Sequence, residues 1–133
     1  MDISNYLSER EHKLSKTLGL PIDEMNFELA LDGQSARMWG NITLTDEVSL
    51  SVRERIELVD GRAHIVKYSY YIIVDGAEAR GFDKEPTHNP PVHGHIGPNH
   101  AWTQAPEITL EAALDRCWDE VELYATTYHD PHD

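Results

Sequence analysis

Between residues 48 and 74 the chain alternates as β-strands do. In SLSVRERIEL, Leu50, Val52, Ile56 and Leu58 share one parity and Ser51, Arg53, Arg55 and Glu57 the other. One residue, Glu54, interrupts the apolar row. In AHIVKYSYYIIV, Val66, Tyr68, Tyr70, Ile72 and Val74 make one face, while Ile65, Tyr71 and Ile73 share the other with Lys67 and Ser69. Successive strand side chains point to opposite sides, so this second run, apolar on one face and half apolar on the other, predicts a central strand with a helix on one side and a partner on the other. Asp32-Gly33, Asp60-Gly61 and Asp75-Gly76 punctuate these runs. Asp-Gly supplies the positive φ angles of a two-residue type I′ turn, the turn that suits a hairpin. NFELAL and ARMWGNITL form a first hairpin about Asp32-Gly33, and AEARGF a last short strand. The pattern predicts an antiparallel meander of about five strands over residues 26–82.

Helical spacing brackets the meander. Leu110, Ala113, Leu114, Cys117, Val121, Tyr124, Ala125 and Tyr128 recur at the 3–4 spacing of a buried stripe, predicting a C-terminal helix over 109–128. Thr109 is placed to cap it, and Glu111 enters its first turn, where the helix dipole favours negative charge. Asp115, Asp119, Glu120 and Glu122 make the solvated face. Ile3, Tyr6, Leu7, Leu14 and Leu18, before Gly19, give a thinner stripe over residues 1–20. That helix docks on the sheet edge or on a second subunit. The expected fold is α+β, one domain over residues 1–133: a twisted antiparallel sheet with an N-terminal and a C-terminal helix.

Charge narrows the partners. Twenty-four Asp and Glu stand against eleven Lys and Arg, a formal charge of −13. Such a surface repels nucleic acid over most of its area, so an RNA substrate requires a local basic pocket, or a basic partner must mask the charge. Only four of the cations are lysine, a composition that also suits a high-salt cytoplasm. No apolar run is long enough to span a membrane, and MDISNYLSEREHKL is too polar for a secretory signal, so a soluble, cytoplasmic protein is expected. The lone Cys117 excludes an intramolecular disulfide and a cysteine-built zinc site, and it belongs to packing.

Chemistry concentrates after the last strand. THNPPVHGHIGPNH, residues 87–100, holds four of the eight histidines, His88, His93, His95 and His100. Pro86, Pro90, Pro91 and Pro98 exclude a helix, so residues 83–106 are expected as a His/Pro-rich loop on the sheet. His93-Gly94-His95 points two imidazoles to one side of an extended chain. Arg80 and Asp83 immediately precede them. Three readings stand on the residues alone. The first is a zinc or other divalent transition-metal site on His88, His93 and His95, completed by His100 or Asp83. The second is metal-free acid–base chemistry that needs no cofactor, with two histidines dividing the roles and Arg80, Tyr68 or Tyr70 stabilising a phosphate. The third is a polar connection with solvated histidines. Trp39, Trp102 and Trp118 are too dispersed along the chain for a base-stacking platform and are expected in the core or at an interface, His129 and His132 lie on an acidic tail, and Asp60 belongs to its turn.

The segment KYSYYIIVDGAEARGFDKEPTHNPPVHGHI resembles the central signature of the TumE-like toxins of prokaryotic toxin–antitoxin systems. Tyr68 and Tyr70 match its tyrosine strand, Arg80 and Asp83 its arginine and aspartate, His88 its first histidine, and His93 and His95 its closing pair. RERIELVDGRAHIV and PEITLEAALDRCWDEV fit the flanking strand and helix, so the resemblance covers roughly residues 48–122. Phe82 stands where the signature has a tyrosine, Thr87, Asn89 and the Pro90-Pro91 pair reshape the loop, and the first forty residues have no counterpart. The resemblance implies a small toxin with a helix-turn-helix antitoxin. For such a toxin RNA cleavage is expected, with Arg80 on the scissile phosphate, His93 or His95 taking the 2′-OH proton, and His88 or the other histidine protonating the leaving oxygen. Asp83 orients an imidazole, and Tyr68, Tyr70 and His100 line the substrate. A non-catalytic binding module, docking on a basic partner or forming a homodimer through the sheet, is the competing function.

Overall fold

The computed structural model describes residues 3–18, 25–88, 90–97, 99 and 101–128. Helix α1 (Ser4–Leu18) is followed by seven strands, β1 (Met25–Leu29), β2 (Ser35–Thr43), β3 (Val48–Val59), β4 (Arg62–Val74), β5 (Ala77–Lys84), β6 (Val92–Ile96) and β7 (Ala101–Thr103), and then by helix α2 (Leu110–Tyr128). The strands lie in one antiparallel sheet in chain order. This is the expected α+β class with helices at both ends, but the meander has seven strands rather than five. Residues expected as a His/Pro-rich loop contain β6 and β7. The reason is local: Val92, Gly94 and Ile96 alternate with His93 and His95, a period-two pattern hidden by the surrounding prolines. The turn into β6 is closed by Glu85 N–H donating to the Pro91 carbonyl at 2.7 Å and His88 N–H to the Glu85 carbonyl at 2.9 Å. His129 and His132 lie outside the described residues.

Two of the three Asp-Gly pairs make the expected turn. Asp60 (φ 52°) and Gly61 (75°), and Asp75 (53°) and Gly76 (81°), are left-handed at both positions, as type I′ requires. At the first pair only Gly33 is left-handed (69°). There Asp32 accepts from the Gln34 N–H at 2.9 Å and Gly33 N–H donates to the Ala30 carbonyl, giving a longer loop.

One sheet face is covered and the other is open. Leu110, Ala113, Leu114 and Cys117 of α2 bury against Leu50, Val52, Tyr70 and Ile72. Burial of side chains of this size contributes about 1.5–3 kcal/mol each. Thr109 caps α2 as expected, its hydroxyl accepting from Ala112 N–H at 3.1 Å. Cys117 is buried in this interface, which pushes its thiol up to about 12 and keeps it protonated. A bulge corrects the parity expected for β4: Arg55 pairs with Lys67 and Ile56 with Ile65, leaving Val66 unpaired, so Ile65 joins the core side. No helix among the described residues is long and apolar enough to cross a membrane.

Helix α1 settles on the same covered face, not on a sheet edge. Ile3 and Leu7 bury against Ala36 and Ile56, and Leu14 joins the main core. The interruption at Glu54 is explained by this docking. Arg10 donates to Glu54 Oε2 at 2.7 Å, the Tyr70 hydroxyl donates to the same oxygen, and Arg10 also reaches the Tyr6 hydroxyl at 3.0 Å. Burial pushes the Glu54 carboxyl above the ordinary carboxylate range, against the pull of Arg10. Removing one partner of a buried ion pair leaves a bare charge and costs about 3–5 kcal/mol. Arg10→Ala is therefore expected to lose stability on that scale in urea denaturation. A carboxyl with a raised folded-state pKa holds its proton more tightly when folded, so stability falls as pH rises through the raised value. The loss in Arg10→Ala should be larger at pH 8 than at pH 5.

Candidate active site on the open sheet face

The open face carries Asp83, His93 and His95. Register fixes the arrangement. Trp39 pairs with Arg53, Arg53 with Ser69, Ser69 with Asp83 and Asp83 with His93, one row across β2 to β6. Tyr71, Gly81, His95 and Trp102 form a second row across β4 to β7. Directly paired residues project to the same side, so both rows point away from α2.

Asp83 is the hub. His95 Nε2 lies 2.6 Å from Asp83 Oδ2 and His93 Nε2 3.5 Å from the same oxygen. The Tyr71 hydroxyl donates to both carboxylate oxygens, at 2.9 and 3.0 Å. The two imidazoles meet edge to face with centroids 4.9 Å apart, and His88 stands beyond, its ring 5.9 Å from that of His93. Asp83 and His93 are buried, His95 is half-buried and His88 is exposed. Burial, then the bond to Asp83, pushes the Tyr71 phenol up to about 12, so it remains a donor at neutral pH.

Gly81 makes this possible. A Cβ there would lie 2.5 and 2.7 Å from Tyr71 Cδ1 and Cε1. The absent side chain lets the phenol ring lie across β5 and reach Asp83 two residues further along. Gly94 plays a similar part on the covered side: a Cβ there would meet Thr103 Cγ2 at 3.0 Å and Ala105 Cβ at 3.2 Å, so the returning chain packs close over β6.

Of the residues nominated from sequence, Asp83, His93 and His95 come together, with His88 at the margin. Arg80 does not join them. It pairs with Ile72 and alternates with Gly81, so the pleat sends it to the covered side, its guanidinium carbon 5.3 Å from the Phe82 ring centroid. Tyr68 and Tyr70 also face α2, stacked at 4.7 Å, with Tyr68 accepting from Ile108 N–H and Tyr70 bound to Glu54. His100 lies outside the described residues. Tyr71 and Gly81 were not nominated, although Tyr71 has the opposite parity to Tyr68 and Tyr70 and shares that of Ser69. Asp83, His93 and His95 also offer one metal-ligand atom each, all within 4.8 Å of one another; His88 is not in this set. Trp39, Trp102 and Trp118, expected in the core or at an interface, are all exposed, and Trp39 and Trp102 share the open face.

An antiparallel sheet with two helices on one face and a His/Asp/Tyr cluster on the other is compatible with more than one chemistry, but the chain has relatives. The family described as "Toxin TumE" matches residues 16–124, and the chain belongs to that family. The match begins well before residue 48, so the β1–β2 hairpin, for which the sequence offered no counterpart, is part of the family's segment. Membership makes the chain a toxin-like protein, with an antitoxin as its general kind of partner. Neither the curated proteins nor the solved structures contain a match.

Two substitutions separate the hydroxyl from the space it uses. Tyr71→Phe keeps the ring over Gly81 and removes one hydrogen bond to a charged group, and should cost about 1.5–3 kcal/mol in denaturant titration. Gly81→Ala forces the ring aside and should both destabilise, by about 1–3 kcal/mol, and displace the Asp83–His95 contact. The imidazole resonances of His95 should move more in Gly81→Ala than in Tyr71→Phe.

Proposed function

We propose that this chain is the toxin of a toxin–antitoxin pair and acts by cleaving RNA without a metal, through acid–base catalysis at His93 and His95. The supporting observation is the short contact between His95 Nε2 and Asp83, itself held by Tyr71. A carboxylate on one ring nitrogen fixes the tautomer and orients the imidazole. Imidazole suits both halves of such a reaction because it titrates near neutrality.

His95 acts as the base. It takes the proton from a 2′-OH as that oxygen bonds to the adjacent phosphorus, and the bond from phosphorus to the 5′ oxygen breaks. The acid, His93 or His88, returns a proton to the leaving oxygen, giving a cyclic phosphate and a free 5′-hydroxyl. The 2′-OH confines the reaction to RNA. Asp83 and Tyr71 are positioning residues. Arg80, facing α2, is relieved of the phosphate-holding role that its place in the sequence assigns to it. The acidic surface, −13 overall, suits a basic antitoxin, a helix-turn-helix protein on this reading, whose docking would offset the self-repulsion.

Expression of His95→Ala or His93→Ala should leave cells growing where the unaltered chain arrests them, with unchanged circular dichroism. Undiminished arrest by either folded variant excludes the assignment. Cleavage of a short RNA by the purified chain should be lost in both His95→Ala and His93→Ala.

A second reading rests on the 4.8 Å clustering of Asp83, His93 and His95, a donor set that fits zinc or another divalent transition metal. Metal analysis of untagged protein after extensive purification separates the two. Stoichiometric metal, with activity lost to a chelator and restored by the ion, supports the metal reading; full activity in metal-free protein supports the acid–base one.

A further inference from the structure

The open face of β2–β4 gathers cations on an acidic chain. Arg37, Arg53, Arg55 and Lys67 line one shallow groove of about 590 Å³, together with Trp39 and Ser69. Four of the chain's eleven Lys and Arg are thus gathered on one wall. Three are held by glutamates: Arg37 by Glu28 at 2.7 Å, Arg55 by Glu57 at 3.1 Å and Lys67 by Glu85 at 2.6 Å. Exposed pairs of this kind contribute little, so a phosphate can take the cation from its partner. Arg53 has no carboxylate partner among the described residues.

Position ties the groove to the candidate site. Arg53 pairs with Ser69, which pairs with Asp83, so only one strand separates the free guanidinium from the His/Asp cluster. Adjacent strands lie about 4.8 Å apart, which places Arg53 about 10 Å from Asp83 and Trp39 about 14 Å away along the same row. Trp39 is 38% exposed and the Arg37 guanidinium carbon lies 5.9 Å from its ring centroid, so a base would stack on the ring surface that Arg37 does not cover.

We infer that single-stranded RNA runs across this face: the phosphate next to the scissile one lies on Arg53, and a base beyond it stacks on Trp39. This rests on the reading of the His/Asp cluster as an RNA-cleaving site and names how that site holds its substrate. It also supplies the guanidinium that Arg80, on the other face, does not. Unpaired bases stack on aromatic rings whatever their sequence, and the backbone follows a cationic groove, so binding is sequence-tolerant and salt-sensitive. A duplex, whose bases are already stacked, gains nothing from Trp39.

The test uses the full chain carrying His95→Ala, so that RNA is bound but not cut, and a short fluorescein-labelled single-stranded RNA of mixed sequence. Adding Arg53→Glu or Trp39→Ala should each weaken binding, read by anisotropy, by about tenfold. Arg116→Glu, on the exposed side of α2, should leave it unchanged. In the otherwise unaltered chain, Arg53→Ala should raise KM for cleavage more than it lowers kcat. If that chain cleaves RNA but Arg53→Glu and Trp39→Ala bind the oligonucleotide as tightly as their parent, the path is wrong and the catalytic reading stands. If the unaltered chain neither binds nor cleaves RNA, the catalytic reading fails, and the path with it. If the two variants keep RNA binding but no longer co-purify with a co-expressed antitoxin, the face belongs to the antitoxin and the inference is overturned.

Discussion

The arrangement depends on register. Asp83 and His93 are opposite one another, His95 is opposite Gly81, and Gly81 is opposite Tyr71. Because side chains alternate with period two, a slip of one residue between β4 and β5 would turn Asp83 into the core and Phe82 into solvent. Burial of Tyr68, Tyr70, Ile72 and Phe82 under α2 opposes that slip. The hydrophobic core on one side of the sheet therefore holds the polar cluster in alignment on the other, and no separate framework is required for the site.

Much of this was legible from residue order alone, and the misses have physical causes. Alternation and Asp-Gly turns are local signals, and they placed β2 to β5 and two tight hairpins correctly. The β6 strand was obscured because prolines on its flanks speak against regular structure, while its own five residues alternate cleanly. The nomination of Tyr68 and Tyr70 treated proximity in sequence as proximity in space. In a strand the neighbour next door points the other way, and the hydroxyl that meets Asp83 belongs to Tyr71. Arg80 fell to the same error. The bulge at Val66 could not be foreseen, since it depends on how β3 and β4 pair.

Net charge concealed the distribution of charge. An overall value of −13 argues against nucleic acid, yet the parity of SLSVRERIEL already put Arg53 and Arg55 on the side away from the core. The fold adds Arg37 and Lys67 beside them from the neighbouring strands. Acidic residues occupy the outward side of α2, the far side of the molecule from the open sheet face. The protein is thus electrostatically two-sided, and an anionic ligand meets a different surface depending on its approach.

Glu54 lies inside the stretch shared with the TumE family, but the guanidinium that neutralises it comes from Arg10, ahead of where that stretch begins. A fragment trimmed to the shared stretch would lose Arg10 from Glu54 and would uncover Ala36 and Ile56, which Ile3 and Leu7 bury. The first turns of α1 are therefore part of the folding unit, and any minimal version of this domain has to start upstream of them.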